Sequence, residues 1–378
     1  MVFTKILGKN LKEYKKIMNL KEKIDNDIFK IIGNVADSMN LETYVVGGFV
    51  RDSIMGRKST DIDIVTIGSG ILLAEEISKV IPHPTKVSVF KNFGTAMIHY
   101  TFDNKFWQIE FVGARKESYR KDSRKPIVED GTLEDDQNRR DFTINAMAIS
   151  LNEKTFGNLL DPFDGVLDIK RQIIRTPLDS DITFSDDPLR MLRCIRFATQ
   201  LNFSIMPSTF DAIERNKERI KIISQERITE ELNKMILAEK PSNAFRLLDN
   251  CGLLDIIFPE LVALKGVESV GERTHKDNFK HTMEVLDNVA KQSNKLYLRW
   301  AALLHDIAKP ITKRYDSKIG FTFHGHEVKG SKMAGKIFYR FRLPINEMKY
   351  VQKLVFLHLR PIALVEEEVT DSLEVYGS

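Results

Sequence analysis

VVGGFVRDSIMGRKSTDIDIVT, residues 45–66, is the stretch on which the fold turns. Within it, DIDIVT alternates acid and apolar residues with the period of a strand, so Asp61 and Asp63 project from one face. Two carboxylates held that close are costly unless a cation lies between them. A hard divalent ion with oxygen ligands, most naturally Mg²⁺, resolves the conflict. Upstream, Tyr44–Val46 is a short apolar strand ending in Gly47 and Gly48, and 49–55 reads as a helix. Glycine at that junction lets backbone approach a phosphate, and Arg51 is placed to add a bidentate phosphate contact. Singly these features are ordinary: a D-x-D strand is often an exposed acidic edge, and Gly-Gly is usually a turn. Together, GG-x-x-RD followed by D-x-D points to metal-dependent nucleotidyl transfer. Glu110, on the polar face of FWQIEFV with Gln108, is a candidate third carboxylate; a lone surface glutamate is the plainer alternative.

Outward from this stretch, Ile24, Ile28, Ile31 and Ile32 have helical spacing, and residues 1–40 read as an N-terminal helical segment. Residues 71–81 read as a helix, and 87–89, 95–101 and 106–112 as strands, from their β-branched and aromatic content. The charged stretch 115–136 has few apolar anchors and reads as a mobile loop. From about residue 141 the pattern turns helical, with helices expected over 143–150, 188–200, 208–217, 224–237 and 241–250. Beyond His275 all reads as helix except a Gly/Phe/His segment at 318–326.

With 378 residues, 42% hydrophobic and 29% charged, the chain has material for about two to four domains. No apolar run reaches the length of a membrane span, and the lysine-broken N-terminus lacks a secretory signal. Two cysteines, Cys194 and Cys251, make no disulfide framework. These features predict a cytoplasmic protein without a membrane partner. Net charge is only +4, but residues 265–360 hold 19 Lys and Arg against 9 Asp and Glu. Such asymmetry fits a polyanionic partner, or simply a solvated lysine-rich helix face.

Two further blocks carry chemistry. In RRDFTINAMA, 139–148, Arg139 and Arg140 suit triphosphate charge and Asn145 suits a ribose or backbone hydrogen bond, while Asp141 also reads as a helix N-cap. In SDDPLRMLRCIRFATQL, 185–201, Asp187 and Arg190 stand three apart on an expected helix and offer acceptor and donor groups for a base edge. Arg190, Arg193 and Arg196 sweep an arc of about half the helix circumference. A plain salt bridge with exposed arginines is the bland alternative, and Leu189, Leu192 and Ile195 mark the side that packs.

In order and spacing these three blocks resemble the class II tRNA nucleotidyltransferases, the CCA-adding enzymes, and their poly(A) polymerase relatives. The similarity covers roughly residues 25–265 and includes DNCGLLDIIFPEL. The resemblance implies an α+β fold: a nucleotidyltransferase head with a small mixed β-sheet, then an all-α neck and body. The expected divisions are 1–40, a catalytic head at 41–165, a neck and body for nucleotide selection and RNA binding at 166–265, and 266–378. It implies that Asp61 and Asp63 hold catalytic Mg²⁺ in two-metal fashion, with Glu110 beside them. Gly48, Arg51 and Arg140 match the family's nucleotide contacts, to which Gly47, Asp141 and Asn145 are joined by position. Asp187 and Arg190 match a pair that selects CTP or ATP in place of a nucleic acid template, and Arg193 and Arg196 match further nucleotide contacts. Asp186 stands where the family more often has glutamate. The implied partners are the tRNA 3′ end, CTP and ATP, with the basic stretch 329–353 as a surface for tRNA.

A fourth constellation comprises His281, His305–Asp306 in LRWAALLHDIAKP, His324 and His326 in FTFHGHE, and His358. It resembles the HD superfamily of metal-dependent phosphohydrolases, which makes 266–378 an HD-type helical domain. His281, His305, Asp306 and His326 would be the ligands of a transition metal. Such domains close their site with a late aspartate; Asp371, the one candidate near the end, comes too early for that pattern, and the domain reads as shorter at its C-terminus than its relatives. A metal-free scaffold that serves RNA binding is an equal reading.

Rivals remain within and outside this chemistry. Bacterial poly(A) polymerases more often show K-D-F-D where this chain has T-D-I-D. CC-adding enzymes shorten the loop that 115–136 supplies, and no motif here excludes an A-adding enzyme. From other classes come an HD phosphohydrolase acting on nucleotides or cyclic phosphates, and an RNA-binding protein that uses no nucleotide.

Overall fold

The computed structural model describes residues 18–360, apart from 60, 83–85, 103–104, 121–122, 267–268, 271–272 and 275–276. Asp371 and the first part of the expected N-terminal helix lie outside them. The chain divides after Asp186 into two compact units. Both cysteines are buried, and neither is in a disulfide.

The first unit is built on seven strands: β1 (Thr43–Val46), β2 (Asp61–Thr66), β3 (Ser88–Phe90), β4 (Thr95–Phe102), β5 (Lys105–Gly113), β8 (Ala148–Ser150) and β9 (Leu159–Leu160). Their order is β3-β4-β5-β2-β1-β8-β9. The sheet is mixed: β2 and β5 run parallel, and β1 is antiparallel to both β2 and β8. A parallel pair needs a crossover, and the chain between β2 and β5 supplies it with α3 (Gly70–Val80) and the β3–β4 hairpin. Helix α1 (Asp27–Ser38) begins where Asn26 accepts the Ile28 N–H, so the helix is shorter than the expected 1–40, and Ile24 lies in the turn before it. Ile28 and Ile32 of α1 and Leu73 and Ile77 of α3 form one core with Val45, Ile62, Ile64, Ile98, Ile109 and Phe111 from the sheet. On the opposite face of β2 Asp61 and Asp63 are exposed, while Val65 packs with Tyr44, Val46 and Leu133.

Two expectations are corrected here. The stretch 115–136 holds a strand pair, β6 (Arg115–Arg120) with β7 (Ser123–Asp130), followed by α4 (Leu133–Asn138). Its register sets Arg115 opposite Asp130 and Lys116 opposite Glu129, an opposite-charge alignment that suits antiparallel strands. A capping box between Thr132 and Asp135 then starts α4. Residues 143–150 are not a helix either: a 3₁₀ turn at Thr143–Asn145 leads into β8, which is buried on both faces. A short apolar run buried on both sides has no period that separates strand from helix.

The first unit also holds α2 (Gly48–Ile54), α5 (Gly165–Arg171) and α6 (Ser180–Asp186). The second unit is helical, with α7 (Leu189–Leu201), α8 (Pro207–Asn216), α9 (Gln225–Ile236), α10 (Ser242–Asn250), α11 (Leu253–Ile257), α12 (Pro259–Val262), α13 (Asn278–Gln292), α14 (Leu296–Leu304), α15 (Lys309–Thr312), α16 (His326–Arg340) and α17 (Ile345–Leu357). The expected non-helical segment near 318–326 is a hairpin of Arg314–Asp316 with Gly320–Thr322. Trp300 and Phe338 pack with Phe258 and Phe341, and Trp300 Nε1 donates to Asn233 Oδ1 at 2.8 Å. Arg299, 1% exposed, donates to the carbonyls of Ile236 and Ala238 after α9 and of Ala290 in α13. One guanidinium thereby satisfies carbonyls at the ends of two helices, which have no partner within the helix. Among the described residues no helix is long and apolar enough to cross a membrane.

Close packing of α1 on the first unit's sheet depends on Gly33: a Cβ there would lie 2.1 Å from the Leu151 carbonyl oxygen. Gly33→Ala is therefore expected to lower stability by about 1–3 kcal/mol, the cost of overpacking. Urea unfolding followed by circular dichroism measures it.

Candidate functional site

Register builds the carboxylate site. Val46 pairs with Asp63 across β1 and β2, and Asp63 pairs with Glu110 across β2 and β5, with Asp61 opposite Gln108. Asp61, Asp63 and Glu110 thus lie on one face of adjacent strands. The chain leaves β1 at Gly47, whose φ of +73° suits glycine. A Cβ at Gly47 would lie 3.1 Å from Asp63 Oδ2 and 3.2 Å from Arg140 Nη1, so bare backbone threads between carboxylate and guanidinium. Dense surroundings push the Asp63 carboxyl up, against the pull of Arg140, and Glu110 and Asp61 push it further. Carboxylates crowded in this way, all oxygen donors, suit a divalent cation.

Cations beside this site are held by carboxylates that sequence reasoning missed. Asp136, fully buried on α4, pairs with both Arg139 and Arg140; Arg140 Nε donates to it at 2.9 Å. Burial pushes Asp136 up, but Arg140 and Arg139 outweigh it and hold the carboxyl below its usual range. The available signal was spacing, since aspartate three and four residues ahead of arginine is a helical ion pair. Arg51, also buried, forks onto Asp52 at 2.9 and 3.0 Å and donates from Nη1 to Asn145 Oδ1 at 2.8 Å. Asn145 in turn donates to Asp141 Oδ1, which also accepts the Phe142 N–H. Asp141 is therefore a link in this chain and not the N-cap of a helix. Gly48 lies against Arg51, with Nη2 at 3.5 Å from where a Cβ would be.

In the second unit, Asp187 lies ahead of α7 instead of within it. Pro188 starts the helix, Asp187 Oδ1 accepts the Leu189 N–H at 3.2 Å, and the Asp187 carbonyl accepts the Arg190 N–H at 3.0 Å. Arg227 comes within 3.9 Å of the same carboxylate. Asp186 ends the preceding helix, Ser180–Asp186. Arg190 and Arg193 are half-buried. Arg196 is buried, donates to Glu231 at 2.6 Å and Gln200 at 3.0 Å, and lies over the Phe197 ring. That geometry ties α7 to α9 and positions the helix.

The histidine cluster assembles within the second unit from four segments. His281 lies on α13, His305 and Asp306 end α14, His326 starts α16 and His358 ends α17. Two sets, His281–His305–Asp306 and Asp306–His326–His358, bring their ligand atoms within 4.8 Å of one another. His358 joins although it was outside the expected ligands; His324, on the exposed turn before α16, is in neither set. His305, His326 and His358 each donate Nδ1–H to a carbonyl, of Ala302, Phe323 and Val355 respectively. Their Nε2 atoms are thereby turned inward, as in histidines oriented for a metal. Burial pushes Asp306 up, but hydrogen bonds from His305 and His326 and the Lys309 ammonium hold it well below the carboxylate range. Its buried Oδ2 lies 2.7 Å from Lys309 Nζ and 3.1 Å from His305 Nε2. Burial and His305 lower His281. A buried carboxylate amid inward-facing imidazoles suits a transition metal.

Comparison with known proteins follows the same order along the chain. The family model for the poly A polymerase head domain matches residues 43–175, that for the probable RNA and SrmB-binding site of polymerase A matches 202–264, and that for the HD domain matches 278–375. The chain is 32% identical over 362 residues to the Multifunctional CCA protein of Pseudomonas savastanoi, covering 89% of this chain and 80% of that protein. Over 169 residues it is 43% identical to the A-adding tRNA nucleotidyltransferase of Aquifex aeolicus, covering 45% of this chain and 20% of that one. A solved tRNA nucleotidyltransferase complexed with a primer tRNA and an incoming ATP analog is similar with a TM-score of 0.61 at 26% identity, over 91% of this chain and 89% of that one.

Asp136→Asn leaves two arginines without their buried counter-charge and is expected to cost about 3–5 kcal/mol at neutral pH. Because Asp136 is held below the carboxylate value of 3.8, its contribution is present above that pH and lost as pH falls through the lowered value. Denaturant curves of both proteins between pH 7 and pH 3 should therefore converge toward the acid end.

Proposed function

The chain belongs to the tRNA nucleotidyltransferase and poly(A) polymerase family, and from that premise we propose that it adds CMP, CMP and AMP to the 3′ end of tRNA without a nucleic acid template. In each addition the RNA 3′-hydroxyl attacks the α-phosphorus of the nucleotide, the bond to the β-phosphate breaks, and pyrophosphate leaves. The observation that carries the reading is the strand register that gathers Asp61, Asp63 and Glu110 beside Arg140. Asp61 and Asp63 would hold Mg²⁺, which when bound supplies Lewis-acid charge for the attacking and leaving oxygens. Arg140, held by Asp136, and Arg51, held by Asp52 and Asn145, present fixed positive charge to the triphosphate. Charge placed beforehand costs little reorganisation during the reaction. Gly47 and Gly48 let the backbone come close, and Asp141 acts through Asn145.

Base choice falls to Asp187 and Arg190, with Arg193 beside them and Arg196 positioning α7 through Glu231. Lys329, Lys332, Lys336, Arg340, Arg342, Lys349 and Lys353 are all exposed on α16, α17 and the turn between them. They fit the tRNA backbone, and binding should weaken steeply with salt. The buried thiols and the RNA substrate fit the cytoplasm. A reading as an A-adding enzyme is favoured by one observation, the 43% identity to such an enzyme across 169 residues.

The HD cluster is a second centre in this proposal, a transition-metal site for phosphoester hydrolysis with His281, His305, Asp306, His326 and His358 as ligands.

Asp61→Ala with Asp63→Ala should reduce incorporation of labelled CTP and ATP into tRNA lacking its CCA end to background while leaving tRNA binding intact in a gel-shift assay. Incorporation that survives the double change would remove the carboxylates from the mechanism. Asp306→Ala should abolish phosphohydrolysis stimulated by added Ni²⁺ or Mn²⁺ and leave nucleotide incorporation unchanged. An equal loss of both activities would contradict two separate centres.

A further inference from the structure

The carboxylate face of the first unit's sheet continues past Asp61 toward β4. Asp61 pairs with Gln108, Gln108 with His99, and one step along the strands Thr101 pairs with Phe106. Ile62, Ile98 and Ile109 alternate with these residues and are buried under the helices, so Asp61, Gln108, His99 and Phe106 share the opposite face. There the rings of His99 and Phe106 stack, centroids 5.2 Å apart and planes 25° from parallel. Phe106 is 58% exposed, while its neighbour Trp107 packs against the core. A stacked aromatic pair presented to solvent adds nothing to that core. Two cross-strand steps of about 5 Å set His99 about 10 Å from Asp61, within reach of a single nucleotide lying across the face.

We propose that His99 and Phe106 form a stacking platform for the terminal base of the RNA strand being extended, with Gln108 between the platform and Asp61. The proposal rests on the nucleotidyl-transfer reading and adds to it where the acceptor end lies. Stacking suits this occupant because every base has a π-face, and the terminal base changes identity with each addition. Hydrogen-bond readout at this position would reject one of the successive ends. The incoming nucleotide has its own reader in Asp187 and Arg190, which do need to tell bases apart.

The test uses the full chain and tRNA lacking its CCA end with 2-aminopurine as the last base. Wild-type protein should quench the probe on binding, and Phe106→Ala should lose most of that quench. Its KM for the tRNA should rise about five- to a hundredfold, the worth of one stacked base, with KM for CTP unchanged. Phe106→Trp should restore both quench and KM, which a merely structural role would not do. Because Phe106 is largely exposed, the alanine variant should keep the wild-type circular dichroism. Unchanged quench and KM in an otherwise active Phe106→Ala protein would overturn the platform while leaving nucleotidyl transfer standing. A change confined to KM for CTP would overturn it too, assigning the rings to the incoming nucleotide. A wild-type protein that quenches the probe through Phe106 but incorporates nothing would instead remove the nucleotidyl-transfer reading.

Discussion

Parallel pairing of β2 with β5 forces three acidic side chains onto neighbouring positions of one surface, and the rest of the first unit answers that electrostatic conflict. Asp63 and Glu110 are direct cross-strand partners, and Asp61 is two residues away on the same face. Like charges opposed in a sheet destabilise it, so the arrangement is a cost that the core on the other face must offset. That core is large, with Ile62, Ile64, Ile109 and Phe111 fully buried under two helices. The register cannot slip to relieve the charges, because a one-residue shift would turn those apolar side chains outward and the acids inward. The unfavourable pairing is thus locked by hydrophobic burial, and the crowded oxygen donors suit a divalent cation.

Positive charge reaches the same place by a different device. Arg51 and Arg140 are each anchored through one edge to a carboxylate within four residues in sequence, Asp52 and Asp136. A buried ion pair is weak evidence of stability, since removing two charges from water offsets most of their attraction. Its use here is orientation: the guanidiniums are held where the strand ends, and Gly47 lets the backbone pass between Arg140 and Asp63. Asp306 in the second unit follows a parallel logic, with imidazoles fixed by carbonyls of their own helix ends surrounding one buried carboxylate.

Legibility in the sequence tracks the range of the interaction. Asp61 and Asp63 were readable because strand period alone puts them on one face. Glu110 was readable only as a polar position, since its meeting with Asp63 depends on which strands pair. The strand pair at 115–130 escaped because its charged sequence carries no clear hydrophobic period, and Asp136 was lost with it. Ala148–Ser150 escaped because a strand buried on both faces looks like a helix core. Arg196 has the same local spacing as Arg190 and Arg193, and its bond to Glu231, 35 residues away, is not encoded by that spacing. His358 joins the HD cluster through the packing of α17, which no local pattern encodes. The order and spacing of the nucleotidyltransferase blocks supplied the family, and the divisions expected at 165 and 265 remain proposals beside the two units of the fold.

What limits extension is read most directly from the length of the product formed on tRNA lacking its CCA end, with Mg²⁺ and with CTP and ATP supplied singly and together, resolved at single-nucleotide resolution. Growth by three nucleotides that stops there is expected, with CTP alone halting at two. A long ladder from ATP alone, or a single adenosine added only to RNA already ending in CC, would contradict that expectation.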